Sequence, residues 1–99
     1  MCLILFAHQA IPGVRLQLAA NRDELFARPA AQAAWWSDHP RILAGRDLQA
    51  GGTWLGVTAD ARFAAITNFR DPASRRNDAP SRGDLVGNFL SGNESPKEY

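Results

Sequence analysis

A single cysteine, Cys2, leaves no possibility of an internal disulfide framework, which fits a reducing compartment. Long apolar runs are also missing. The one near the start, residues 2–7, is too short for a signal-peptide core or a membrane span, and no basic segment precedes it. A cytoplasmic protein with no membrane span is therefore expected. Neither sign of charge dominates: 11 basic residues face 10 acidic ones, for a formal net charge of +1. That balance gives no electrostatic basis for binding nucleic acid or an acidic membrane surface. His8 and His39 are isolated from other ligand-type residues at zinc spacing, so no metal site is expected. Repeats and low-complexity segments are absent.

What is present is a succession of short strand patterns. Residues 2–7 form a continuous apolar run of β-formers, which predicts a strand buried on both faces. Pro12-Gly13 marks a turn. The alternation Val14-Arg15-Leu16-Gln17-Leu18-Ala19 predicts the return strand of a hairpin. Antiparallel pairing would bring Asn21, Arg22, Asp23 and Glu24 back beside Cys2. Residues 28–40 read as irregular, with an Ala-rich piece holding Trp35-Trp36 between Pro29 and Pro40. Short strands are expected at residues 42–44, 54–58 and 63–68, and a polar loop at 71–80. Ser81-Arg82-Gly83-Asp84 resembles a capping box that opens a helix with Leu85, Val86, Phe89 and Leu90 on one face. Ser95-Pro96 resembles the start of another helix. Some five strands and one clear helix predict an α+β fold. One helix cannot cover both faces of such a sheet, so the chain is expected to be part of a larger domain, with self-association of an uncovered face.

Cys2 is the first chemical candidate. Removal of Met1 would leave it with a free α-amine, and amine and thiol both ordinarily titrate close enough to neutral pH for one to take the other's proton. The alternative is a cysteine acting as a small apolar residue in a strand. In residues 21–24, a carboxylate is suited to hold the α-ammonium, Arg22 to bind a substrate anion, and Asn21 to donate to an oxyanion. The alternative there is a turn whose acidic residues cap a short helix. Gly51-Gly52-Thr53-Trp54-Leu55-Gly56 lacks phosphate-loop spacing; it reads as a bulge or a close backbone approach at a strand start or as a pocket rim including Trp54. Asn68 ends a strand and either presents a polar group to that pocket or closes a turn. Trp35-Trp36 reads as a ligand platform or, more simply, as packing.

These blocks occur in an order that resembles the NRDE family: Met1-Cys2-Leu3-Ile4, then Ala20 through Glu24 with Arg28-Pro29, then Gly51 through Gly56, then Ala65-Ile66-Thr67-Asn68, then Ser81 through Val86. The resemblance spans all 99 residues. It implies that residues 1–99 are the N-terminal part of a single NRDE domain continuing beyond Tyr99. The implied fold is an N-terminal-nucleophile (Ntn) hydrolase-like αββα sandwich, represented here by antiparallel strands plus one or two helices.

The residues and the resemblance together give Cys2, Asp23, Asn21 and Arg22 as candidate catalytic residues, and Glu24, Trp54 and Asn68 as candidates for substrate binding. Cys2 would be the nucleophile on a non-peptide C–N (amide) bond, Asp23 would orient its amine, and no cofactor would be required. In related cysteine amidases an arginine precedes the Asn-x-Asp run; here that position is Ala20, and Arg22 fills the variable place. The other implied role is non-catalytic: handling of a small-molecule ligand such as haem, a lipid or an acyl-CoA on the same fold.

Overall fold

The computed structural model describes residues 2–68, 73, 76 and 78–99. Among the described residues the fold is α+β, with two antiparallel sheets and one α-helix. Strands β1 (Leu3–Ile11) and β2 (Val14–Asn21) form a hairpin. Strands β3 (Ala30–Trp35), β4 (Ile42–Asp47), β5 (Leu55–Thr58) and β6 (Phe63–Ala65) form a four-stranded meander in chain order. Helix α1 (Gly83–Ser91) lies across β4, β5 and β6. No helix among the described residues is long and apolar enough to cross a membrane.

The core forms where the helix meets the meander. Trp36, Ile42, Ala44, Val86, Phe89 and Leu90 are buried together, with Ala64 and Ile66 against them. The helical spacing of Val86, Phe89 and Leu90 supplies one apolar stripe. Period-two alternation in β4 presents Ile42 and Ala44 to it. Trp36 donates its indole N–H to the Ala44 carbonyl at 3.2 Å, which satisfies its polar edge inside the core. Arg62, from the β5–β6 connection, lies over the Phe89 ring at 4.0 Å and donates to the Phe89 carbonyl at 3.0 and 2.8 Å. It thereby satisfies a C-terminal carbonyl that the helix leaves without an internal partner. Leu43, Val57 and Phe63 on the opposite sheet face are only half-buried.

Several sequence expectations need correction. The first strand is not buried on both faces: Leu3 is 51% exposed and Phe6 66%. Among the described residues, neither hairpin strand packs on the meander or on α1. Residues 28–40 are not irregular throughout, because Ala30–Trp35 is a strand. Its alanines have little intrinsic strand preference; pairing with β4 decides the outcome. The strand expected at 63–68 is shorter, Phe63–Ala65, although Ile66 still donates to the Trp54 carbonyl at 2.8 Å. Half of the polar loop expected at 71–80 lies outside the described residues.

The capping box also belongs elsewhere. Arg82 is the N-cap of α1 and makes no side-chain cap bond; Ser81 Oγ accepts the Gly83 N–H at 3.3 Å, with no reciprocal bond to the Asp84 side chain among the described residues. A reciprocal pair forms instead at the tail: Glu98 N–H donates to Ser95 Oγ at 3.2 Å, and Ser95 N–H to Glu98 Oε2 at 3.0 Å. Tyr99, just beyond it, donates its hydroxyl to the Leu85 carbonyl at 2.7 Å, and its ring meets Phe89 edge-on.

Candidate functional site

The hairpin register dictates the first contact. Leu3 pairs with Asn21, so the next residues outward, Cys2 and those after Asn21, meet at the open end. The peptide N–H of Asp23 donates to Cys2 Sγ at 3.3 Å, and Sγ lies 4.0 Å from the Asp23 carbonyl oxygen. Cys2 is half-buried. Behind it, Arg22 pairs with Glu24 at 3.5 Å, and Glu24 Oε1 accepts the Leu25 N–H at 2.9 Å.

Cys2 forms part of the wall of a cleft of about 1070 Å³ between the hairpin's open end, the meander and the start of α1. That is the upper end of the size range usual for small-molecule sites, roughly 300–1,000 Å³. Arg22, Asp23, Glu24, Trp54 and Asn68 line the same cleft. Asn21 does not: it stays in the β2 ladder opposite Leu3. Trp35-Trp36 is not a platform in this cleft. Trp36 is core, and Trp35 is 56% exposed on β3.

The far wall explains two glycine-rich blocks at once. Thr53 N–H donates to the Gly83 carbonyl at 3.4 Å. A Cβ on Gly52 would lie 2.6 Å from the Gly83 carbonyl carbon and 2.8 Å from its oxygen. The approach to β5 and the start of α1 can therefore touch backbone to backbone because Gly52 carries no side chain, while a Cβ on Gly83 would be a tight fit at 3.2 Å from Thr53 backbone atoms. This is the close approach expected for the Gly51–Gly52 block, with Gly83 as the partner.

Sequence reasoning gave no role to Arg28, Arg46 and Asp47, which also line the cleft. Arg28 Nε lies 3.2 Å from both oxygens of Asp47, and its terminal nitrogen 2.5 Å from Oδ2. The pair is half-buried. The Asp47 hydrogen bond raises the Arg28 pKa further above its already high ordinary value, against an opposing effect of burial. The same bond holds the Asp47 carboxyl below the usual carboxylate range. Arg46 grips Asp38 through both terminal nitrogens, at 2.5 and 2.8 Å, and lies over the Trp36 ring at 4.0 Å. Hydrogen bonding to Arg46 pushes the Asp38 pKa down to about 2. Arg28-Pro29 stood in the family pattern without a function. Nothing local in the sequence pairs Arg28 with Asp47, which lies 19 residues away.

A family model described as Transport and Golgi organisation 2 matches residues 1–99. The chain belongs to this family. Relatives agree. A transport and Golgi organization protein 2 homolog of Bos taurus is 41% identical over 106 aligned residues, covering all of this chain and 38% of the relative. The Mus musculus homolog is 40% identical with the same coverage. The Drosophila melanogaster protein is 37% identical over 92% of this chain and 35% of its own length. The chain thus spans under two-fifths of the length of these curated relatives.

Among the described residues, no group of three or more His, Cys, Asp or Glu is arranged to hold a metal ion. The chemically versatile set at the cleft is a thiol, a peptide N–H directed at its sulfur, carboxylates, guanidinium groups and an amide, beside the apolar surfaces of Leu25, Trp54 and Ile66.

Proposed function

We propose that the cleft is a small-molecule site in which Cys2 acts as an N-terminal nucleophile on a non-peptide C–N (amide) bond. In this reading, residues 1–99 contribute the N-terminal part of an Ntn-hydrolase-like αββα sandwich. The observation that carries the reading is the setting of Cys2 Sγ: it lines a ligand-sized cleft and receives the Asp23 peptide N–H at 3.3 Å.

The chemistry balances with groups at hand. After Met1 removal, the Cys2 α-amine takes the thiol proton, and sulfur attacks the amide carbon. Asn68, in the cleft wall, donates to the oxyanion; Asn21, held in the hairpin ladder, is less well suited to that role. The tetrahedral intermediate collapses, the C–N bond breaks, and the α-ammonium returns its proton to the leaving amine. Water then cleaves the thioester, releasing the acid and restoring the thiol. Asp23 orients the amine, and Arg22 and Glu24 bind polar groups of the substrate. The test is a panel of fluorogenic N-acyl amides with wild type and Cys2→Ala, followed by intact-mass spectrometry. Turnover with an acyl adduct on Cys2, absent from the variant, supports the hydrolase. No turnover and no adduct across the panel refutes it.

A second reading draws on the cleft lining, where arginines stand beside Leu25, Trp54 and Ile66. Such a lining suits a ligand with an apolar body and anionic groups, such as haem, a lipid or an acyl-CoA, bound without catalysis. A haem titration on wild type, Cys2→Ala and His8→Ala tests it. A Soret shift at micromolar protein supports haem handling, and its absence removes haem.

A further inference from the structure

The cysteine hairpin is attached in an unusual way. Among the described residues, β1 and β2 contact each other but pack on no other strand or on α1. Cys2 and the Asp23 backbone that contacts it both sit at the hairpin's open end. The opposite wall of the cleft, with Gly52, Thr53 and Trp54, belongs to the meander. The distance from sulfur to that wall therefore depends on the arm, residues 22–29, that joins hairpin to meander.

Arg28 lies in this arm, and Asp47 ends β4. The guanidinium engages both carboxylate oxygens, so it fixes orientation as well as distance. Asp47 is itself held from several sides. Its Oδ1 accepts the Gln49 N–H at 3.0 Å, its carbonyl accepts the Gly51 N–H at 2.7 Å, and its own N–H donates to the Gly52 carbonyl at 2.8 Å. The pair thus connects the arm to the very turn that carries the cleft's glycine wall. Leu48 N–H donates to the Pro29 carbonyl at 3.0 Å and closes the joint one residue further on. On the other side, Arg28 N–H donates to the Leu25 carbonyl at 3.0 Å and folds the arm back toward Glu24.

We propose that Arg28 and Asp47 are positioning residues: their ion pair aligns the Cys2 hairpin with the glycine wall and so sets how Cys2 faces the cleft. The proposal gains its meaning from the reading of Cys2 as the working group of this cleft, but its test reads position and not chemistry.

Cys2 is the sole cysteine, so a nitroxide attached there reports its position without further engineering. Paramagnetic broadening of the Gly52, Thr53 and Trp54 amide signals is measured in the 99-residue chain, with the α1 amides as a check on folding. Wild type is expected to broaden the Gly52–Trp54 signals strongly. Asp47→Asn and Arg28→Gln are expected to lose more than half of that broadening while the α1 shifts stay in place. Arg28→Lys, which keeps the charge but loses the fork, is expected to fall between. The reversed pair Arg28→Asp with Asp47→Arg is expected to recover part of the loss. Full broadening in Asp47→Asn overturns the proposal. So does collapse of the α1 signals in all the single variants, Arg28→Lys included, because the pair would then support the sheet and not aim the hairpin. An inert Cys2 in the wild type would refute the nucleophile and leave this result standing.

Discussion

Gly52 and Gly83 touch backbone to backbone: a Cβ on the first would lie 2.6 Å from the carbonyl carbon of the second. The contact seats the start of α1 on the start of β5 and forms one wall of the cleft. Gly52→Ala forces one of two backbones to move, so a loss of roughly 1–3 kcal/mol is expected. A methyl group added to Gly87, inside α1, would meet nothing within 4 Å. Gly87→Ala is expected to stabilise by about 0.5–1 kcal/mol through helix propensity alone. Urea midpoints of the two variants should move in opposite directions.

Apolar residues in this chain divide sharply by location. Leu90 is fully buried between α1 and the meander, and Leu90→Ala is expected to cost about 2–5 kcal/mol. Phe6 is 66% exposed on the hairpin, so Phe6→Ser is expected to change stability by no more than about 0.5 kcal/mol. Its effect should appear in association instead. Leu3 and Leu5 on one face of the hairpin and Phe6 on the other are left uncovered, and sedimentation velocity over a concentration series should show self-association that Phe6→Ser weakens.

The Arg28–Asp47 pair predicts the acid limb of stability. The Asp47 carboxyl is held below the usual carboxylate range, chiefly by its hydrogen bond to Arg28. A depressed folded-state pKa adds stability above the unfolded value, about 3.9, and that stability fades as pH falls through the folded value. The contribution of this pair should be constant from neutral pH to roughly pH 5 and decline below about pH 4. Asp47→Asn should lower the neutral plateau by about 1 kcal/mol and flatten the acid decline. Thermal melts from neutral pH down to about pH 3 on both proteins check this.

The elements with strong local signals were legible in the sequence. The hairpin followed from Pro12-Gly13 between two β-rich runs, and its register put residues 21–24 beside Cys2. The pattern Leu85, Val86, Phe89 and Leu90 announced α1; the last three form its buried face, and Leu85 is exposed. Ala30–Trp35 was missed because alanine carries no strand signal of its own, and only pairing with β4 makes it a strand. Ser81 does accept the Gly83 N–H at the start of α1, but the reciprocal pair of a full capping box forms at Ser95 and Glu98 instead. Around the cleft, residues adjacent in sequence could be grouped in advance. The partnership of Arg28 with Asp47 could not, because it is created by the β3–β4 pairing that sequence reasoning had missed.

The proposed role of Cys2 is that of a nucleophile in this cleft. Its most direct test is intact-mass spectrometry of the purified chain before and during reaction with chloroacetamide, an electrophile that carries an amide. The expected result is a mass lacking Met1 and a single adduct on Cys2, formed faster than on free cysteine and several-fold more slowly in Asp23→Ala. Retention of Met1, or an adduct that forms no faster than on free cysteine, would contradict the account.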